Sequence, residues 1–239
     1  MQLGTRAACL CLLAGVALGC GEAETAREIR ADPEAAFQRL EEDLLAAPAA
    51  RVSYAITAQG VYDASLTGVL LIGAGNALRL EASGSFAGEP VDAVLVSNGV
   101  GLSMTVGGEE ILLETPGQLR EAVVIGLTRM GLLHNLARLT GSAPPDHAGG
   151  AVTKWVKVSD FSIADPPEAP PVDGVPVEFG IVLSQEPVGE VIMWLDQRTG
   201  LPMLRTQTVH FPDGDMLVTE AYHEVDLQAE PTAAAFTLN

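Results

Sequence analysis

Apolar residues recur at every second position between residues 51 and 114. In "RVSYAITAQG", Val52, Tyr54 and Ile56 alternate with small or polar residues, which is the pattern of a strand with one buried face. Similar runs, separated by turns rich in Gly, Asn and Ser, follow at Ser65–Ile72, Ala77–Ser83, Pro90–Ser97, Gly101–Val106 and Glu110–Glu114. Short strands joined by such turns predict an antiparallel meander.

Before the meander, the apolar period lengthens to that of a helix. Asp32 is placed to cap a helix whose first residue is Pro33, and Phe37, Leu40 and Leu44 follow on one face. Pro48 ends this pattern, so an amphipathic helix of about three turns is predicted here.

A second helix is predicted after Thr115 and Pro116, which serve as N-cap and first helical residue. Its apolar positions extend most of the way around the helix, so it needs apolar surroundings on more than one side. Two interpretations remain open: ordinary packing against the sheet, or a lid over an apolar cavity, which the interior glycines Gly126 and Gly131 would make movable. One face carries Leu119, Val123, Leu127, Met130, Leu133 and Ala137.

Strands resume after this helix. We expect them in "VTKWVKVSDFSIA", then, after the proline-rich connection "ADPPEAPPVDG", at Pro176–Ser184 and Val188–Asp196. No segment alternates strand with long helix, so a doubly wound nucleotide-binding fold is improbable.

The final hairpin allows a prediction of register. A two-residue turn at Asp213 and Gly214 places Pro212 opposite Asp215. One face is then charged and mixed, and carries Met203, Arg205, Gln207, Val209, Val218, Glu220, Tyr222 and Glu224. The other face has no carboxylate, lysine or arginine, and we expect it to point inward as core or cavity wall. It carries Leu204, Thr206, Thr208, His210, Leu217, Thr219, Ala221, His223, Val225 and Leu227.

The chain is strongly acidic, with a formal net charge of −18 at pH 7. Such a surface repels phosphate backbones, which makes nucleic acid an improbable partner. The charge also serves to keep a rather apolar protein in solution.

The N-terminal residues resemble an export signal. Arg6 precedes an apolar run that ends at Gly19, so residues 1–19 are predicted to be a signal peptide. Cleavage would leave Cys20 at the N-terminus, as in the bacterial lipoprotein signal, although Ala17 and Leu18 depart from its usual pattern. A plain signal peptide and an inconsequential thiol are the alternatives. We predict lipidation of Cys20, a flexible tether over residues 20–31 and a single domain over residues 32–239.

Catalytic and metal-binding patterns are absent from the sequence. His210 and His223 share a face of the last hairpin, but they are separated by roughly 20 Å along the strand, too far for one metal. Zinc-type spacing, a nucleophile elbow and a phosphate-binding loop are not found. We therefore predict no enzyme activity, no metal and no cofactor.

The C-terminal quarter resembles the LolA and LolB superfamily of lipoprotein carriers. An apolar strand ending in Asp, a "TGLP" turn, a long hairpin and a late phenylalanine carry this resemblance, at Asp196, Thr199, Gly200, Leu201, Pro202, Tyr222 and Phe236. The resemblance implies a mainly β (α+β) fold: a curved, unclosed antiparallel half-barrel, with the N-terminal helix and the inserted helix covering its concave face. It also implies an apolar cavity that accepts acyl chains.

These observations predict an envelope lipoprotein that binds lipid or the acyl chains of a lipoprotein, held at the outer membrane by its lipid anchor and facing the periplasm. The alternative is a structural or sensing module that binds another envelope protein. Trp194 replaces Met193 in the cavity if a bulge lies at the four-residue "QRTG" loop. The predicted wall consists of Met193, Leu204, Leu217 and Val225, and the predicted cover of Leu127, Met130 and Leu133.

Overall fold

A computed structural model describes residues 20–134, 156–165, 171–183 and 185–238. Eleven strands in these ranges form one sheet in the order β6-β5-β4-β3-β2-β1-β11-β10-β9-β8-β7, and every neighbouring pair is antiparallel. The strands are β1 (Ala50–Gly60), β2 (Ala64–Ile72), β3 (Ala77–Phe86), β4 (Glu89–Asn98), β5 (Gly101–Val106), β6 (Glu109–Glu114), β7 (Val156–Ile163), β8 (Gly174–Leu183), β9 (Glu186–Asp196), β10 (Pro202–Phe211) and β11 (Gly214–Asp226).

The sheet is a curved half-barrel that does not close. Strands β6 and β7 are its two edges, while β1 and β11 pair in the middle and join the two halves of the chain. The helices pack with the inner face of the sheet around one apolar core. The predicted fold class is confirmed.

The helices that the structure describes in full beside the sheet are α1 (Cys20–Ala31), α2 (Pro33–Ala46) and α3 (Leu119–Ile125). Helix α2 begins as predicted, because the Asp32 carboxylate accepts a hydrogen bond from Ala35 N at 3.0 Å. Residues 20–31 are helical, so the prediction of a flexible tether is wrong for them. Ile29 explains the difference, since this one large apolar side chain is buried in the core beside α2. No helix in the described ranges is long and apolar enough to cross a membrane.

Helix α3 starts later than its sequence pattern predicts. Thr115 does not cap it; its hydroxyl lies 2.9 Å from that of Ser97 on β4. The helix begins at Leu119, where the backbone N–H of Arg120 donates to Asn76 Oδ1. Three predicted segments lie outside the described residues: the signal peptide, the part of the inserted helix beyond residue 134, and the first residues, 152–155, of the predicted strand that forms β7.

The "TGLP" motif forms the turn between β9 and β10. The Asp196 carboxylate accepts hydrogen bonds from the Thr199 N–H at 2.7 Å, the Thr199 hydroxyl at 2.9 Å and the Arg198 N–H at 3.0 Å. Gly200 has φ +71°, a conformation that favours glycine. Phe236 packs near Gly73, where an added Cβ would lie 2.9 Å from the ring. Of the residues that carry the sequence resemblance, Asp196, Thr199 and Gly200 therefore form the turn, and Phe236 contacts Gly73 near the chain end.

Candidate functional site

The inserted helix is broken directly above the inner face of the sheet. Helix α3 continues as a π-helix over Gly126–Met130, which ends at Gly131 with φ +85°, and helical residues resume at 132–134. A Cβ at Gly131 would lie 2.8 Å from Glu220 Oε1 and 3.3 Å from Arg205 Nε. Glycine is required here both for the backbone conformation and for the close approach of these two charged side chains.

Arg205 binds the end of the π-helix. It is fully buried, and it donates through Nη1 to the carbonyl of Thr128 and through Nη2 to that of Arg129, each at 2.7 Å. Its Nε and Nη2 also donate to Gln207 Oε1. Burial lowers the pKa of the Arg205 guanidinium, but carbonyls at a helix C-terminus carry partial negative charge and compensate a buried cation.

Glu220 binds the other side of the break. Its two carboxylate oxygens accept the backbone N–H groups of Leu132 and Leu133, each at 2.9 Å. The Tyr222 hydroxyl donates to Glu220 Oε2 at 2.7 Å, and burial together with the Glu220 charge raises the pKa of Tyr222 well above its usual range. Free N–H groups at a helix start carry partial positive charge, so an anion is stabilised there.

A partly buried ion pair attaches the same helix to α2. Arg129 donates to both carboxylate oxygens of Glu41, at 2.8 and 2.6 Å, and the Thr128 hydroxyl donates to Glu41 at 2.7 Å. Arg129 also donates to the carbonyl of Val156 on β7. Together with Arg205 and Glu220, this pair holds the broken helix against α2, β7, β10 and β11.

A cavity of about 390 Å³ lies beside the break, between the helix and the sheet. Met130 and Leu133, on the two sides of Gly131, contribute to its wall. Apolar side chains predominate, and Gln207 and Glu220 are polar groups at its inner surface. The remaining lining residues are His134, next to Leu133, and side chains in or near the turns between strands: Tyr62, Phe86, Leu183, Val188, Val209, His210, Phe211, Met216 and Val218.

Three contacting aromatic rings, Tyr62, Phe86 and Phe211, form an aromatic rim along part of the cavity. Tyr62 stacks on Phe86 with ring centroids 5.8 Å apart, and its ring is perpendicular to that of Phe211 at 6.2 Å. Tyr62 and Phe211 are partly exposed. His210, which also lines the cavity, lies 2.9 Å from the Asp215 carboxylate, and this hydrogen bond raises the pKa of His210.

The predicted register of the last hairpin is wrong, because each residue of β10 pairs with a residue of β11 two positions earlier than predicted. Phe211 pairs with Gly214, and His210 with Asp215, so the turn residues are Pro212 and Asp213. The displacement moves each partner by two positions and leaves the composition of the two faces unchanged.

The predicted inward face is also wrong. Met216, Val218, Glu220 and Tyr222 are buried, whereas Leu217 between them is 53% exposed. The charged face points inward because Arg205 and Glu220 find backbone partners at the helix break. The outward face is therefore the one that carries Leu217 and His223, while His210, at the turn end of β10, also borders the cavity.

The predicted cavity residues fall in different places. Met130 and Leu133 line the cavity, whereas Leu127 and Met193 are buried in the core and are not among its lining residues. Leu217 is on the outer face and cannot be part of the cavity wall.

Two bulges explain why Leu204 and Val225, which were predicted to line the cavity, do not line it. A register shift between Pro202 and Leu204 pairs Leu204 with Trp194, and both side chains are buried away from the cavity lining. His223 has no partner in the ladder between β1 and β11, so Val225 turns back to pack against the core.

The three aromatic residues that line the cavity were not predicted, although their positions next to turns in the sequence could have identified them. Tyr62, Phe86 and Phe211 each stand next to a tight turn, in "VYDA", "SFAG" and "HFPDG". Alternate turns of an antiparallel meander lie at the same end of the sheet, so these three rings are brought to one end by topology alone. No signal of this kind marked Val188 or Val209.

Comparison with known proteins gives similarity in fold. No family model matches the sequence, and no curated protein matches it. The chain is similar to a chain of the Pseudomonas aeruginosa MucA/MucB complex, at 13% identity and a TM-score of 0.37, covering 91% of this chain and 62% of that one. The chain thus spans about three fifths of the length of that relative.

Two further solved structures are similar. One is the LolA superfamily protein NE2245 from Nitrosomonas europaea, at 11% identity and a TM-score of 0.35, covering 86% of this chain and 97% of that one. The other is a putative outer membrane lipoprotein-sorting protein domain from Vibrio parahaemolyticus, at 8% identity and a TM-score of 0.36, covering 84% and 94%. These similarities concern the fold alone.

Proposed function

We propose that this protein is a non-catalytic envelope lipoprotein that binds an acyl chain, from a lipid or an acylated protein, in the cavity beside the helix break. The observation that carries the proposal is the predominantly apolar lining of that cavity, which includes Met130 and Leu133. Its volume of about 390 Å³ falls within the range of small-molecule binding sites, roughly 300–1,000 Å³.

Burial of methylene groups supplies the affinity. Each CH₂ removed from water contributes about 0.8 kcal/mol, so ten methylenes contribute on the order of 8 kcal/mol before the entropy of binding is subtracted. This is sufficient for binding without a charged clamp on the headgroup.

The polar groups of the cavity determine the orientation of the ligand. Glu220 carries a negative charge at the inner surface and already accepts two backbone N–H groups and the Tyr222 hydroxyl. A second carboxylate or a phosphate next to it would be repelled. The acyl chain therefore enters tail first, and an anionic headgroup stays at the rim formed by Tyr62, Phe86 and Phe211.

The anchor is part of the same proposal. Removal of residues 1–19 would leave Cys20 to receive lipid, and helix α1 would connect the anchor directly to the domain. A single acyl chain gives only marginal membrane binding, so the anchor needs more than one. A Cys20→Ser variant is expected to leave the membrane fraction of a bacterial host and appear in the soluble periplasmic fraction; retention in the membrane would contradict the anchor.

The cavity is tested by filling it. Val209 lines the cavity and is partly buried, so Val209→Trp should obstruct it and weaken binding of a fluorescent fatty acid about tenfold. Leu217→Trp is the matched control, since it places the same side chain on the outer face of the adjacent strand. Circular dichroism checks that both variants are folded. If they are folded and bind the fatty acid with equal affinity, the cavity is refuted as the binding site.

A further inference from the structure

The edge strand β6 exposes apolar side chains on both of its faces. All six residues of β6 are exposed, with Ile111 at 47%, Leu112 at 62% and Leu113 at 54%. Within the described residues its only ladder is with β5, from Gly101 opposite Glu114 to Val106 opposite Glu109, and that ladder has no bulge. Alternate backbone groups along an edge strand of this kind face away from the sheet.

The opposite edge of the sheet is protected. Strand β7 carries a register shift between Ser159 and Ser162, with Asp160 at φ +58° inside it, and Lys157 is exposed there. The Val156 carbonyl also accepts a hydrogen bond from Arg129. Bulges and lysines are the usual means by which proteins prevent strand addition at an edge, and β6 has neither.

The charge around β6 selects the partner. Glu109, Glu110 and Glu114 lie in the strand itself, and the sequence from residue 80 to residue 119 contains no lysine or arginine. In antiparallel pairing with a second copy about the middle of the strand, Glu109 would lie opposite Glu114 twice, and like charges in direct opposition are destabilising. A basic segment would instead place opposite charges at these positions.

We propose that β6 is a docking edge that adds a basic, extended segment of another protein as a twelfth strand. Main-chain hydrogen bonds supply the affinity, the three glutamates select lysine or arginine, and Ile111, Leu112 and Leu113 select apolar residues between them. None of the β6 residues lines the cavity, so this interaction goes beyond the proposed binding of an acyl chain and is independent of it.

The test uses a capped, fluorescein-labelled peptide, Lys-Val-Thr-Val-Lys-Lys, whose antiparallel register places lysines opposite all three glutamates. The purified chain is expected to bind it, with an affinity that falls as salt is raised. Hydrogen exchange should slow at residues 109–114 in the complex. Binding with protection elsewhere, or no binding at low salt, would overturn the proposal.

Reversing the charges of two β6 glutamates provides a more stringent test. The variant E110K/E114K should bind the basic peptide about tenfold more weakly and gain affinity for Glu-Val-Thr-Val-Glu-Glu. The control variant E34K/E42K reverses two exposed charges on α2 and should keep the original preference. An unchanged preference in E110K/E114K would refute selection by β6, and dimerisation of the unmodified chain through residues 109–114 would identify a second copy as the occupant instead.

Discussion

Arg205 and Glu220 are directly opposite each other on strands β10 and β11, yet their charges bind different sides of one helix break. Arg205 donates to the carbonyls that end the π-helix, and Glu220 accepts the N–H groups that begin the next helical turn. The strand register thus determines where the inserted helix breaks. Met130 and Leu133 flank the break and both line the cavity. Arg205 and Glu220 therefore also determine the shape of the proposed binding site.

A double-mutant cycle measures this relationship. Arg205→Met removes a buried cation and leaves two helix-end carbonyls without a donor, so the free energy of unfolding should fall by about 3 kcal/mol or more. Glu220→Gln keeps the shape of the side chain and should cost less. We expect the double variant to lose at least about 1 kcal/mol less than the sum of the single losses, because the two charges stabilise each other.

Urea unfolding of the four proteins provides the four free energies. Additive losses would mean that Arg205 and Glu220 act independently, each through its own end of the helix.

Gly131 is required for the break, and Gly88 offers a matched control. The two glycines have nearly the same φ, +85° and +84°, but nothing lies within 4 Å of a Cβ added at Gly88. Gly88→Ala should lose about 1 kcal/mol, from backbone strain alone. Gly131→Ala should lose about 3 kcal/mol or more, because its Cβ also meets the Glu220 carboxylate. Similar melting temperatures for the two variants would contradict the close contact.

The turn at Asp196 predicts a dependence of stability on pH. Burial alone would raise the pKa of Asp196, but the hydrogen bonds from Thr199 and Arg198 lower it below its usual range. A carboxyl group with a lowered pKa in the folded state stabilises the protein above its unfolded pKa, and this contribution is lost as the pH falls through the folded value.

Asp196→Asn should therefore lower the free energy of unfolding by about 1 kcal/mol at neutral pH, and the difference should shrink below about pH 4. Asp213→Asn, in the exposed turn between β10 and β11, is the control and should change little at either pH. The measurement is chemical unfolding across the pH range, and a difference for Asp196→Asn that persists undiminished at low pH would count against this account.

The strands and helix α2 could be predicted because their signals are local. Alternation of apolar residues in β1 and capping by Asp32 each depend on neighbours within a few positions. The start of α3 could not, because Thr115 has the composition of a cap but binds Ser97 on a different strand.

The inward face of the last hairpin could not be predicted from its own residues. An alternation with charges on one face indicates an exposed face when those charges have no partners. Arg205 and Glu220 have partners some 75 to 90 positions earlier in the chain, at residues 128–133. Knowledge of the helix break was needed to assign this face, and the break itself is visible in sequence only as Gly131.

The most direct test of the account locates a bound acyl chain. A fatty acid with a photoreactive diazirine at the end of its chain is irradiated with the purified protein, and the labelled residues are identified by mass spectrometry. The account predicts labelling of the cavity wall, at Met130, Leu133, Val209 and Phe211, and its loss in Val209→Trp. Labelling concentrated at Leu217 or at Leu112 on β6, unchanged by Val209→Trp, would contradict it.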